Sequence, residues 1–167
     1  WYAGETLISA IGQGFVLTNP FQLAVMTSII ASNGKMIEPT IIKGNRVTFK
    51  TNDKYSKEIK IIKKAMFKVV NENKGTAFKS RLQDIKFAGK TGTSQVRRIS
   101  LSERESDDFR EKEQEWKNRD HALFVGYMPY DDPKYSISVI IEHGGSGAST
   151  AAPIAKQIFN YINELEV

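Results

Sequence analysis

The sequence predicts an α+β fold, an antiparallel sheet of three strands in this chain with flanking helices. Two β-rich runs, 121–128 (HALFVGYM) and 135–142 (YSISVIIE), flank a Pro129-Tyr130-Asp131-Asp132-Pro133 turn and should pair antiparallel. Two helical patterns precede them and one follows, which is the α+β order rather than βαβ alternation. The 167 residues suit one domain, and 40% hydrophobic residues suffice for a core.

From the start, residues 1–18 carry glycines at 4, 12 and 14 around Leu7, Ile8 and Ile11, and read as a strand or loop leading into a helix. Asn19 is the expected N-cap of that helix, with Pro20 at its first position and Gln22 completing a capping box. The helix continues through Leu23, Val25, Met26, Ile29 and Ile30. Asn33-Gly34 ends it, with Gly34 free to turn left-handed. Apolar on most faces, it is expected to be buried. Residues 35–54 hold Pro39, Gly44 and Asn52-Asp53 between short β-prone runs, 40–42 and 47–49, and read as a loop or small hairpin.

Residues 56–71 form an amphipathic helix, with Ile59, Ile62, Met66, Val69 and Val70 at helical spacing and lysines 57, 60, 63, 64 and 68 facing water. Asn73-Lys74-Gly75 closes it. Residues 85–96 (IKFAGKTGTSQV) read as a strand with two glycines. The run 97–120 is dense in charge of both signs and is longer than an ordinary hairpin loop, so it is expected to be an insertion between strands. Gly144-Gly145-Ser146-Gly147 breaks the last strand. The final helix should start near Thr150, accept Pro153 in its first turn, and align Ile154, Ile158, Tyr161, Ile162 and Leu165 on one side.

Composition narrows the function classes. The absence of cysteine excludes disulfides, thiolate metal sites and cysteine nucleophiles. The formal charge of +5 forms no basic stripe interleaved with aromatics, so no nucleic-acid partner is expected. The apolar run from Phe21 to Ala31 is broken by Gln22, Thr27 and Ser28 and falls short of a membrane span. No leader sequence is visible, and an opening without Met suggests a piece of a longer chain.

Lys90-Thr91-Gly92-Thr93 is the tetrapeptide with the most chemistry. An ammonium attracts a carboxylate or phosphate, hydroxyls donate to it, and a glycine lets a ligand backbone lie close. Alone, the tetrapeptide is also an ordinary strand edge. Two decoys lie downstream. Gly144-Gly145-Ser146-Gly147-Ala148 imitates a nucleophile elbow, which would make a Ser146 hydrolase served by His121 or His143. The small-residue run after Ser146 argues against it. The two histidines lack metal-ligand spacing and read as strand-end hydrogen-bonders.

The surroundings of the tetrapeptide resemble the class B penicillin-binding proteins, specifically the rod-type penicillin-binding protein 2 group. The matching segments are Gly4-Glu5-Thr6, Ile11-Gly12-Gln13-Gly14, Thr18-Asn19-Pro20-Phe21-Gln22-Leu23-Ala24 and Ala31-Ser32-Asn33-Gly34. They continue with Gly75-Thr76-Ala77, Ala88-Gly89-Lys90-Thr91-Gly92-Thr93-Ser94-Gln95, His121-Ala122-Leu123-Phe124-Val125-Gly126-Tyr127 and Glu142-His143-Gly144-Gly145-Ser146-Gly147. They stand in family order and span nearly the whole chain.

The resemblance implies the C-terminal portion, residues 1–167, of a serine transpeptidase/β-lactamase-like domain. The parent would be a D,D-transpeptidase of peptidoglycan synthesis. Its partners would be stem peptides, β-lactams and the cell-elongation machinery, with no cofactor or metal. It would be anchored in the bacterial cytoplasmic membrane and face the periplasm or cell wall. By the family pattern, Lys90 supports positive potential beside the nucleophile and Thr91 and Thr93 bind the donor carboxylate. The Thr93 N–H is an oxyanion donor, and Gly92 keeps the strand face open.

The family uses three motifs, S-x-x-K, S-x-N and K-T-G. Only the last is expected to act here. Ser32-Asn33-Gly34-Lys35 spells S-x-x-K but crosses a helix end. No S-x-N occurs, and Tyr161-Ile162-Asn163, its tyrosine variant, falls after K-T-G, where Tyr161 reads as packing. The isolated chain is therefore expected to be catalytically incomplete, with exposed apolar surface or an open sheet edge. The alternative reading is a non-catalytic interaction module of the elongation machinery.

Overall fold

The structure, a computed structural model, describes residues 1–43, 49–51, 53–96 and 115–166. Its first element is a helix, α1 (Ala3–Ala10), where the sequence suggested a strand or loop. Leu7, Ile8 and Ile11 stand at i, i+1 and i+4, a helical stripe obscured by Gly4 and by the missing cap at Tyr2. The chain then turns through Gly12 and Gly14, both left-handed at φ 76° and 74°.

Helix α2 (Pro20–Ala31) starts as its sequence dictates. Asn19 Oδ1 accepts from the Gln22 N–H at 2.9 Å and Gln22 Oε1 accepts from the Asn19 N–H at 3.1 Å. It ends on Asn33 and Gly34, at φ 59° and 91°, with the Gly34 N–H on the Ile29 carbonyl at 2.8 Å. The expectation that α2 is buried needs correction. Only Thr27 and Ala31 are buried, and Phe21 and Met26 are exposed. The helix packs on the sheet and against α3, and among the described residues most of its side chains are only partly covered.

A hairpin follows, but it pairs β1 (Lys35–Ile37) with β2 (Phe49–Thr51), not the 40–42 run. Residues 47 and 48 of the second expected run lie outside the described residues. Helix α3 (Ser56–Asn71) matches the expected span and buries Met66 and Val70, although Ile62 stays exposed. Its Lys63 crosses to α2, donating from Nζ to the Ala31 carbonyl at 2.8 Å and to Asn33 Oδ1 at 2.9 Å. Burial lowers the Lys63 pKa, partly offset by the attraction of Asp131.

The three-stranded sheet runs β3 (Ala88–Ser94), β4 (His121–Met128), β5 (Tyr135–Ile141), antiparallel throughout and with β4 central. Of the expected insertion between β3 and β4, residues 97–114 lie outside the described residues, and Trp116–Asn118 forms a 3-10 turn. The last strand gives way to a π-turn, Gly147–Ala151, before helix α4 (Ala152–Glu166).

The buried side of α4 also differs from the expected stripe. Ala152, Ala155 and Phe159 are buried and Ile154 and Ile162 pack beside them, whereas Ile158, Tyr161 and Leu165 are exposed. Tyr161 is thus not a packing residue in this structure. Small alanines let the helix approach the sheet closely, and the Phe159 ring meets Phe87 at 5.1 Å. Phe87 in turn meets Phe124 edge-on at 6.4 Å.

Candidate active site

Strand β3 is an edge strand, and its register sorts its side chains. Lys90, Gly92 and Ser94 lie opposite Val125, Leu123 and His121 and share the face covered by α2 and α3. Thr91 and Thr93 lie opposite Phe124 and Ala122, on the other face. Thr91 is half-buried, and Lys90 and Thr93 are exposed.

The backbone of this strand has an open side. The Thr91 carbonyl accepts from Lys90 Nζ at 2.5 Å, and the Thr93 carbonyl accepts from Gln13 Nε2 at 3.1 Å. Both carbonyls therefore point away from β4. In an antiparallel strand the N–H of a residue points to the same side as its carbonyl. Thr91 and Thr93 thus turn two backbone N–H groups toward the exposed edge, while their side chains stand on the face that holds Phe124 and Ala122. Gln13, held between Gly12 and Gly14, reaches this edge from 80 residues away in sequence.

Behind the strand, Gly147 sits so close that a Cβ there would fall against the carbonyl oxygens of Gly92 and Leu123. The turn that carries Gly147 is tied down on all sides. Thr150 Oγ1 donates to the Gly144 carbonyl at 2.8 Å, and the Gly145 N–H donates to the Asp120 carbonyl at 2.8 Å. His121 Nδ1 accepts the backbone N–H of His143 at 2.9 Å, so a neutral His121 carries its proton on Nε2. The His143 ring lies against Trp116, with centroids 4.4 Å apart, and its Nδ1 is 3.1 Å from the Arg119 carbonyl.

These contacts give both histidines structural partners. Among the described residues no hydrogen bond joins the Ser146 hydroxyl to either ring, and Ser146 precedes a π-turn rather than opening a helix. No group of three or more His, Asp or Glu among the described residues could hold a metal. Ser32 caps α2, its hydroxyl donating to the carbonyls of Ile29 and Lys35 at 3.3 and 3.2 Å, so its S-x-x-K is split between a helix end and β1. On the α2 side, a cavity of about 390 Å³ opens between the 12–20 segment and the sheet, lined by Val16, Leu17, His121, Leu123 and Ile140.

Residues 1–160 match the family described as penicillin binding protein transpeptidase domain. The chain belongs to the penicillin-binding protein transpeptidase family. It is 34% identical over 175 residues to the peptidoglycan D,D-transpeptidase MrdA of Haemophilus influenzae, covering 96% of this chain and 26% of that protein. Penicillin-binding protein PBP2 of Helicobacter pylori superposes with a TM-score of 0.80 at 33% identity, over 99% of this chain and 28% of that one. The same protein has been solved in complex with MreC, again with a TM-score of 0.80. The chain thus spans about a quarter of the length of the relatives it matches.

The structure gives contacts to two residues that motif reading quoted without giving them a task. Gln13 bonds the Thr93 carbonyl, and the Thr76 hydroxyl lies 2.8 Å from that of Thr91. Their presence in the short segments Gly12-Gln13-Gly14 and Gly75-Thr76-Ala77 was the available signal. Their meeting at β3 was not legible, because separations of 80 and 15 residues are closed only by the fold.

Proposed function

We propose that residues 1–167 form the C-terminal portion of the transpeptidase domain of a peptidoglycan D,D-transpeptidase, with 97–120 as an insertion. The observation that carries this reading is the edge of β3, where Thr91 and Thr93 turn two backbone N–H groups outward and Lys90 Nζ reaches round to the Thr91 carbonyl, with the two threonine side chains on the adjoining face.

In the proposed reaction a serine oxygen, supplied from N-terminal to Trp1, attacks the carbonyl of a D-Ala-D-Ala bond. The C–N bond breaks, the terminal D-Ala leaves as the amine, and an acyl-serine ester remains. An amine of a neighbouring stem peptide then attacks that ester and releases the serine. Thr93 N–H donates to the oxygen that gains charge in each tetrahedral intermediate, the kind of preorganised donation that lowers acyl-transfer barriers most. Thr91 and Thr93 hydroxyls bind the donor's terminal carboxylate, and Lys90 supplies positive potential beside the nucleophile. Gly92, without a side chain, leaves the strand face open for a substrate lying along β3. A β-lactam would enter as a donor mimic and remain as the acyl-enzyme.

Alone, these residues provide the carboxylate cradle and an oxyanion donor with nothing to acylate. A fluorescent penicillin should label the full-length protein covalently and leave the 167-residue chain unlabelled after denaturing electrophoresis. Specific labelling of the short chain would overturn the division of the site. The parent is proposed to sit in the bacterial cytoplasmic membrane with this domain on the cell-wall side. Among the described residues no helix is long and apolar enough to cross a membrane. Because the Helicobacter pylori relative is solved with MreC, a partner from the elongation machinery is proposed as well. That complex also supports the second reading, an interaction module. Full-length protein that binds such a partner but takes no penicillin label would favour it.

A further inference from the structure

The turn after α3 is wedged in place. A Cβ at Gly75 would fall against the carbonyl oxygens of Lys68 and Val69. The Gly75 N–H donates to the Glu72 carbonyl at 2.8 Å, and the Ala77 N–H donates to the Val69 carbonyl at 3.0 Å. Ala77 is buried in the main core. Thr76, between these anchors, has its Oγ1 2.8 Å from Thr91 Oγ1.

A pair of hydroxyls has two arrangements. Either Thr91 donates to Thr76, or Thr76 donates to Thr91 and leaves the Thr91 proton free. An anion beside Thr91 selects the second, and the donated hydrogen bond polarises the Thr91 hydroxyl further. The Thr91 backbone is braced at the same time, because its carbonyl accepts from Lys90.

We propose that Thr76 is a positioning residue for carboxylate recognition: its hydroxyl donates to Thr91 Oγ1 and so aims the Thr91 proton at the ligand carboxylate. This rests on the transpeptidase reading above and adds a residue outside the K-T-G strand to its specificity. A purely structural tie between turn and strand would affect every ligand alike. A relay affects only ligands that bear the anion.

The test measures second-order acylation rates of the full-length protein with a penicillin carrying its free carboxylate and with the methyl ester of the same penicillin. The variants are Thr76→Val, Thr76→Ser, Thr91→Val and the Thr76→Val/Thr91→Val pair. Loss of one hydroxyl bond should slow acylation by the free acid about 3- to 10-fold in Thr76→Val. The ester should react at the unsubstituted rate, and Thr76→Ser should restore the acid. In the Thr91→Val background Thr76→Val should add no further loss, since the two hydroxyls act as a unit. Equal loss for acid and ester, additive losses in the double variant, or no loss in Thr76→Val would each overturn the proposal while leaving the transpeptidase reading intact. Failure of the unsubstituted protein to acylate with either ligand would overturn the transpeptidase reading, and this proposal with it.

Discussion

On one face of the sheet, α4 lays Ala152, Ala155 and Phe159 against Ala122 and Phe124, and all five are fully buried. On the other face, α2 and α3 bury Tyr127 and Ala88, but Leu123 and Ile140 line a cavity and the segment before α2 leaves Phe15 73% and Leu17 92% exposed. The first face is closed by residues of this chain alone. The second has apolar side chains whose pattern calls for a cover that the described residues do not supply. Lys90 and Gly92 belong to this second face. Thr91 and Thr93 stand on the first, so the proposed active site lies along the open edge where the two faces meet, braced by a finished core. Such an arrangement suits a strand that must hold its position while one side stays open to a ligand.

The difference between the faces can be broken by substitution. Phe124→Ala should cost most, about 3–5 kcal/mol, as expected for a large aromatic removed from a core that cannot collapse onto the gap. Urea denaturation measures it, and a loss under about 1 kcal/mol would mean that the α4 face is not the core.

Lys63→Met tests the half-finished face. It removes the donor to Ala31 and Asn33 and should cost about 1 kcal/mol at neutral pH, since the ammonium is only partly shielded. Its pH dependence has a definite sign. Burial lowers the folded-state pKa, so between that value and 10.5 the unfolded chain binds more protons than the folded one. Stability of the unsubstituted protein should therefore rise with pH through that window, and the rise should vanish in Lys63→Met. A falling limb would contradict it.

The smallest effect is expected at Leu17→Ser, within about 0.5 kcal/mol in the 167-residue chain, because the side chain is already in water. The same substitution in the full-length protein should cost more if other parts of that protein cover this face. Equal small costs in both would show that Leu17 stays exposed.

Much of the local structure was legible. Asn19, Pro20, Gln22 and Gly34 state the limits of α2 because capping is a short-range hydrogen-bonding problem solved by adjacent residues. The 121–128 and 135–142 runs fixed β4 and β5 nearly to the residue, since alternation and a proline-bounded turn leave few other pairings. The miss at α1 came from reading glycines as breakers when Leu7, Ile8 and Ile11 already formed a stripe. The miss on α4 has a different cause. Its sequence offers two neighbouring apolar stripes, and the choice between them depends on a sheet far away in the chain.

Sequence by itself determined the fold class, the helix caps, the strand pairing across the proline turn and the family carried by the ordered segments around Lys90-Thr91-Gly92-Thr93. Each of these is written in residues that are near neighbours or in a motif short enough to read. Tertiary structure alone decided which face of α4 is buried, that the backbone groups of Thr91 and Thr93 face the open edge, and that Gln13, Thr76 and Gly147 converge on β3. Those facts depend on distances between segments many residues apart, and such distances are set only when the whole chain packs into one core.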